Sequence, residues 1–507
     1  MSDTLYSTLT SGRTTYRQKI IALAREAENM LDVLDIKPEF KRFFEKGALC
    51  DMGEGNAPYR PRYVMVDFEK FARQGSAFLK LDPPKDLDEL LSDLQILYFH
   101  TPSITTMPVY LGNIDKLIDP FIADLSDEAV CGKLKNFLNY IDRTIADGYC
   151  HANIGPAATR AGRLILKVEK ELQNSVPNMT LKYDPAITPD DFAEQAIECS
   201  LYCANPALCN DVAHRGTYPG GYGISSCFNI LPFRGGAYTL SRIVLPRLAK
   251  MSSGVDDFMD KLLPEALEAL GNYMNERVSF LVEKSNFFES NFLVKEGLIE
   301  RDRFVGMFGV AGLCDCVNYL LADKGQRYGH STEADDLADR IMTRIADFTS
   351  KFPAKYSEIA NGHFLLHAQA GLSTDVGVTA GVRIIVGDEP ENLLDHMRHS
   401  ARFHRFFPTG CSDIFPFDIT ARNNPGAILD IVKGAFSLGD KYCSFYASDG
   451  DLVRITGYLV KRSEIEKYDR GETVLQDTVQ NGSSNYKLNR LKDRKVRSLD
   501  DGKSASK

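Results

Sequence analysis

Between Tyr218 and Tyr238 the chain reads YPGGYGISSCFNILPFRGGAY, five glycines and two prolines crowded around one cysteine, Cys227. Gly220, Gly221 and Gly223 precede the cysteine, and Gly235 and Gly236 follow it. Glycine at this density permits positive φ and close backbone approach, so the segment is a tight excursion and not a strand interior. Helical patterns on both sides anchor it. The fragment Gly221-x-Gly223-x-x-Ser226 has two of the three glycines of a dinucleotide fingerprint. Without the third, a preceding strand or an acidic residue about 20 positions on, it does not read as a phosphate cradle.

A second unusual stretch, Tyr442 to Tyr468, reads YCSFYASDGDLVRITGYLVKRSEIEKY. Ser448-Asp449-Gly450-Asp451 marks a turn, and Leu452 to Val460 alternates as one strand is expected to. Gly457 contradicts that strand, because glycine weakens it and leaves a hole. Ser463-x-x-Glu466 has the spacing of a capping box that opens a helix.

The remainder reads as one large unit over residues 1–480, with no linker long enough to separate independent domains. Helices are expected over Tyr16–Leu34 and Val255–Lys284, the latter kinked or restarted at Pro264. Further helix starts are expected at Thr332 and at Asn424-Pro425. Thr101, Ser103 and Thr105 fall in a run of β-formers and turn residues that predicts a strand and loop. His363 and His367, at i and i+4, fit one helix face but lack a third metal ligand.

Charge divides unevenly. Of the net −9, residues 481–507 contribute +5 and the preceding chain −14, so the C-terminus reads as a basic, disordered tail. An acidic main body argues against general nucleic-acid binding. The longest apolar run, Val305 to Leu313, falls far short of the ~20 residues of a membrane span. None of the 11 cysteines forms a CxxC pair, so no structural zinc site is expected, and no metal is assigned. The opening MSDTLYSTLTSGRTTYRQK has no signal-type apolar core, which places the expected location in the reducing cytoplasm.

Arg454-Ile455-Thr456-Gly457-Tyr458 resembles the RVxGY signature of glycyl radical enzymes, and Cys227 in its glycine-rich loop lies 230 residues upstream. Val109 to Asp115 (VYLGNID) and Gly306 to Leu313 (GMFGVAGL) are similar to the core of that superfamily, more to its anaerobic ribonucleotide reductase branch than to pyruvate formate-lyase. Over most of residues 90–470 the chain resembles the YjjI family of short glycyl radical enzymes. The resemblance implies a ten-stranded α/β barrel surrounded by helices, with the cysteine and glycine loops meeting at its centre. Residues 440–470 would then form the glycyl radical segment, with Cys227 and Gly457 catalytic and Arg454 and Tyr458 supporting the radical loop. The resemblance also implies an oxygen-sensitive enzyme, a homodimer, and a separate radical S-adenosylmethionine activase that installs the radical, with no cofactor bound as such.

The residue types suit that chemistry. Glycine alone offers a Cα flanked by amide and carbonyl with no side chain, so hydrogen loss leaves a planar, delocalised radical. Cysteine is a natural relay, its S–H bond being comparable in strength to many activated C–H bonds. Ser226 stands where pyruvate formate-lyase has a second cysteine, and Asn229 where the diol and choline branches have a basic glutamate. Ser103 and Asn229 are the candidate substrate-binding residues. The expected activity is hydrogen abstraction from a small polar organic molecule, leading to C–C or C–heteroatom cleavage, a lyase reaction. Two other readings stay open, a nucleotide- or nucleoside-directed radical enzyme and a non-catalytic binding protein on the same barrel.

Overall fold

Strands that are buried along their whole length need cover on both faces, and most strands of this chain are of that kind. The computed structural model describes residues 2–105, 107–145, 148–368, 377–455 and 457–480. Its strands are β1 (Leu49–Cys50), β2 (Tyr63–Val64), β3 (His151–Ile154), β4 (Asn178–Tyr183), β5 (Ala207–Asn210), β6 (Tyr222–Ser225) and β7 (Asn229–Pro232). They continue with β8 (Gly236–Val244), β9 (Phe304–Ala311), β10 (Leu365–Ala368), β11 (Asp413–Phe417), β12 (Tyr442–Ala447), β13 (Leu452–Arg454) and β14 (Leu459–Lys461). Every residue of β3, β4, β8, β9, β11 and β12 is buried.

The architecture is α/β, with ten strands in two five-stranded sheets. In the first, β8, β9 and β10 run parallel, and β1 and β2 pair antiparallel to β8. In the second, ordered β11-β12-β5-β4-β3, the β3–β4–β5 run is parallel, as is β11–β12, and β5 meets β12 antiparallel. Helices Arg160–Leu172, Asp190–Cys203 and Pro425–Leu438 connect neighbouring strands of the second sheet. The two sheets approach where Ala368 N–H donates to Gly410 O (3.0 Å) and Thr409 N–H to Leu366 O (3.3 Å), so β10 meets the segment leading into β11. The remaining strands form two hairpins, β6–β7 and β13–β14.

Several local expectations are corrected. The Tyr218–Tyr238 segment, expected to lie outside strands with helices on both sides, holds the β6–β7 hairpin, with Gly223 inside β6, and runs directly into β8. No strand forms at Thr101–Thr105. Pro102 and Pro108 remove ladder donors there, and the hydroxyls satisfy nearby carbonyls, Thr101 that of Leu97 (2.9 Å) and Ser103 that of Met107. Strand-like pairing begins later, where Leu111 N–H donates to His151 O (2.8 Å) and Asn153 N–H to Gly112 O (2.9 Å). Leu452–Val460 is a hairpin and not one strand, closed by Ile455 N–H to Tyr458 O (3.2 Å) with Gly457 at its tip.

Helix Arg462–Asp469 carries no capping box. Its first-turn Ser463 donates to Asp451 from both its amide (2.9 Å) and its hydroxyl (2.7 Å), so a residue across the hairpin does the capping. His363 and His367 lie before and within β10, not on a helix. The first long helix ends at Asn29. The Val255–Glu283 stretch passes through a π turn at Phe258–Leu262 before Pro264 opens its last segment. The cap expected at Thr332 is supplied by Ser331, and Asn424 caps its helix as the sequence indicates. The basic tail, residues 481–507, lies outside the described residues.

The β6–β7 hairpin is held against the second sheet by one side chain. Buried Asn153 of β3 receives Ile224 N–H on Oδ1 (2.8 Å) and donates Nδ2 to Ile224 O (2.8 Å), replacing a missing strand neighbour. Asn153→Ala leaves both Ile224 groups buried without partners. We expect a loss of about 2–4 kcal/mol in urea unfolding, and a change within about 0.5 kcal/mol would contradict this role.

Candidate active site

The turn of the β6–β7 hairpin, Ser226-Cys227-Phe228, projects from the register pair Ser225–Asn229. Ser226 adopts φ +52°, the left-handed region, and its N–H donates to Val109 O (3.1 Å). Its carbonyl is engaged by His151 Nδ1. A carbonyl only accepts, so Nδ1 carries the proton and Nε2 accepts from the Thr180 hydroxyl (2.7 Å). Thr180 in turn accepts from Tyr442 (2.7 Å), whose hydroxyl oxygen also lies 3.5 Å from Cys227 O. Burial pushes the His151 pKa down to about 3, so this chain is neutral at ordinary pH. On the other side, Ile230 N–H donates to Thr409 O (2.9 Å), and Phe228 stacks on His367 at 5.4 Å.

The tip of the β13–β14 hairpin meets this turn. A Cβ built on Gly457 would lie 1.9 Å from Cys227 Cβ and 2.7 Å from its Sγ. The backbone of Gly457 is not left-handed, so glycine is required by this contact and not by φ. The Cα–H bond that an L side chain would replace therefore points at the cysteine side chain. The Gly457 amide also faces the Cys227 sulfur.

Cys227 is 7% exposed. Burial, the largest influence, pushes its pKa up to about 11, against the opposing effects of Ser226, Arg383, Arg454 and the Gly457 amide. The group is thus a thiol near neutrality, carrying the S–H bond that hydrogen-atom transfer uses.

Arg454 and Tyr458 bracket the glycine. Buried Arg454 donates Nε to Ala204 O (3.0 Å) and Nη1 to Asn178 Oδ1 (3.5 Å), tying the hairpin root to the end of helix Asp190–Cys203 and to β4. Among the described residues it forms no ion pair. Tyr458 is buried edge-on to Tyr149 at 5.5 Å. Asn229 donates to Ser225 O (3.2 Å), and its buried Oδ1 has no hydrogen-bond partner among the described residues.

Ser103 stands apart from this arrangement. Its hydroxyl is committed to Met107 O, and its carbonyl accepts from Arg60 Nε (2.7 Å), which makes it a staple of its own loop. Cys209 approaches Tyr222 OH (3.9 Å), not Cys227, in the hydrogen bonds among the described residues. Cys411 and Cys443 are buried free thiols, and no group of three or more His, Cys, Asp or Glu among the described residues is placed to hold a metal ion.

His151, Asn153, Thr180, Tyr442 and Arg383 had no signal in the sequence. Each is a common residue type on a strand or connecting segment remote from Cys227.

The Gly457–Cys227 contact is testable by packing alone. Gly457→Ala forces the hairpins apart, with an expected loss of about 1–3 kcal/mol in denaturant unfolding. Cys227→Ala keeps the offending Cβ and gives no relief, whereas Cys227→Gly restores some of the loss. A Gly457→Ala protein as stable as the parent would contradict the contact.

The chain matches the family model described as "Glycyl radical enzyme YjjI-like" over residues 14–497. It is 43% identical over 501 residues to a Haemophilus influenzae protein, covering 97% of each chain. It is 41% identical over 483 residues to the protein YjjI of Escherichia coli, covering 95% of this chain and 93% of that one. In fold it is similar to a Roseburia inulinivorans protein of 1,2-propanediol dehydration, with TM-score 0.70, 10% identity, and 96% and 88% of the two chains covered. It is also similar to the anaerobic ribonucleotide reductase of Thermotoga maritima, with TM-score 0.68, 15% identity, and 90% and 91% covered. With a family match spanning nearly the whole sequence and a glycine tip set against a buried thiol, this chain belongs to the YjjI-like family of glycyl radical enzymes.

Proposed function

We propose that Gly457 stores an unpaired electron and that Cys227 relays it to a small polar organic substrate. The observation that carries this reading is the Gly457 Cα–H bond aimed at the Cys227 side chain across van der Waals contact. The Gly457 radical takes hydrogen from the Cys227 S–H, re-forming the glycine C–H and leaving a thiyl. The thiyl takes hydrogen from a substrate C–H bond and leaves a carbon radical. A bond beside that centre then breaks, separating carbon from carbon or from a heteroatom. The product radical recovers hydrogen from Cys227, whose thiyl is finally quenched by Gly457.

The protein contributes positioning and dryness. The neutral chain from Tyr442 through Thr180 and His151 fixes the Ser226 carbonyl, and with it the turn that carries the thiol. Burial keeps the sulfur protonated and excludes water from reactive intermediates. Lyase-type chemistry is favoured by the fold likeness to proteins of 1,2-propanediol dehydration and hydroxyproline dehydration. A separate radical S-adenosylmethionine activase, working in the cytoplasm under low oxygen, would remove the first hydrogen from Gly457.

Anaerobic activation followed by electron paramagnetic resonance tests the reading. The expected signal is a doublet, from coupling to the one hydrogen left on the glycine Cα. It is lost in Gly457→Ala and kept in Cys227→Ala, in which turnover stops. A signal that survives Gly457→Ala, or none with a competent activase, would sink it. Exposure of activated protein to oxygen should cut the backbone at Gly457, and an activated sample that stays intact would count against the glycyl assignment.

A further inference from the structure

One charged group beside Cys227 has no role in moving the radical. Arg383 donates Nε to Ser412 O (2.9 Å) and Nη2 to Ser412 Oγ (2.8 Å), so one edge of its guanidinium is clamped. Ser412 lies on the segment that passes directly behind the cysteine turn. There Thr409 O accepts from Ile230, and a Cβ on Gly410 would come within 2.1 Å of Phe228 O. The guanidinium is near enough to Cys227 and to Arg454 to act on both electrostatically.

The clamp leaves the end-on fork, Nη1 and the second Nη2 hydrogen, without a hydrogen-bond partner among the described residues. Yet the side chain is only 13% exposed. The nearest carboxylate, Asp413, stands 3.8 Å from Nε, outside hydrogen-bond reach. It is committed elsewhere, to His396 Nε2 (3.0 Å) and to the Ile414 amide (2.8 Å). Arg454 has no ionic partner among the described residues. Around a neutral thiol, therefore, one buried guanidinium has only an occupied carboxylate near it and the other has none among the described residues. Burial works against the charge of both, so each is stabilised by an incoming anion.

An open planar fork in such sheltered surroundings matches the two oxygens of a carboxylate. We infer that Arg383 is a specificity-determining residue that binds a carboxylate group of the substrate and so presents an adjoining C–H bond to Cys227. The assignment of Cys227 as the abstracting group rests on the proposed function; the anion site itself does not. A phosphate dianion fits less well, since one free fork beside the Asp413 carboxylate supplies too few donors for three oxygens.

Isothermal titration calorimetry on the unactivated protein separates the two questions, because no radical is involved. Acetate, glycolate and succinate serve as carboxylate probes, acetamide and glycolamide as neutral isosteres, and inorganic phosphate as the competing anion. Carboxylates should bind about tenfold or more tightly than their amides. Arg383→Gln should abolish that preference with an unchanged melting temperature, while Arg383→Lys, which keeps the charge without the fork, should retain some of it. Should Arg383→Gln fail to fold, Arg383→Lys with its weakened preference carries the test. Equal binding of acid and amide, no carboxylate binding, tighter binding of phosphate, or a preference undiminished in every folded Arg383 variant would overturn the inference. A lost preference beside an intact doublet, or the reverse, shows which of the two readings has failed.

Discussion

A glycine Cα pressed onto a cysteine side chain in the dry interior dictates much of what surrounds it. Both residues sit at hairpin tips, where backbone groups lack ladder partners, and neither tip can use bulk water. Protein side chains must do that work. Asn153 pairs both backbone groups of Ile224, His151 engages the Ser226 carbonyl, and Arg454 fastens the other hairpin to Ala204 and Asn178. The second sheet thus acts as a polar cradle as well as a scaffold. Its inward positions at His151, Asn153 and Thr180 are polar where a simple core would place aliphatics.

The two decisive residues were legible because each breaks a local rule. Glycine density isolates Cys227, and Gly457 spoils an otherwise regular alternation; the break is explained by a close approach that leaves no room for a Cβ. Several helix starts also follow from periodicity and capping residues, whereas the α/β class followed from the resemblance to glycyl radical enzymes. The hairpin at Leu452–Val460 was hidden, since β-forming residues run on both sides of the tip and every described residue from Leu452 to Val460 is buried. Capping of helix Arg462–Asp469 by Asp451 was hidden too, because the bond crosses the hairpin instead of staying within four residues. Ser103 looked like a substrate ligand only while its segment was taken for a strand. The partners of the cysteine turn carry no local mark at all, since contact between strands of different sequence regions gives them their role.

The electrostatics of the site differ from those of a thiolate enzyme. Nucleophilic cysteines sit where an adjacent base or helix terminus lowers their pKa, and here burial raises it. His151, the histidine hydrogen-bonded to the turn, is pushed towards neutrality and oriented by a carbonyl on one side and a hydroxyl on the other. It forms no bond to the sulfur and holds the turn in place instead. The arrangement preserves an S–H bond where a protease or transferase would remove its proton.

The way Arg454 is held sets what parting the glycine hairpin from its seat would cost. Its partners are an amide carbonyl and a side-chain amide, with no carboxylate among them in the described residues. Parting the two would therefore strand no buried negative charge, and the cation would regain hydration that its seat denies it. A carboxylate latch would make the vacated seat costly, whereas this one is neutral once empty.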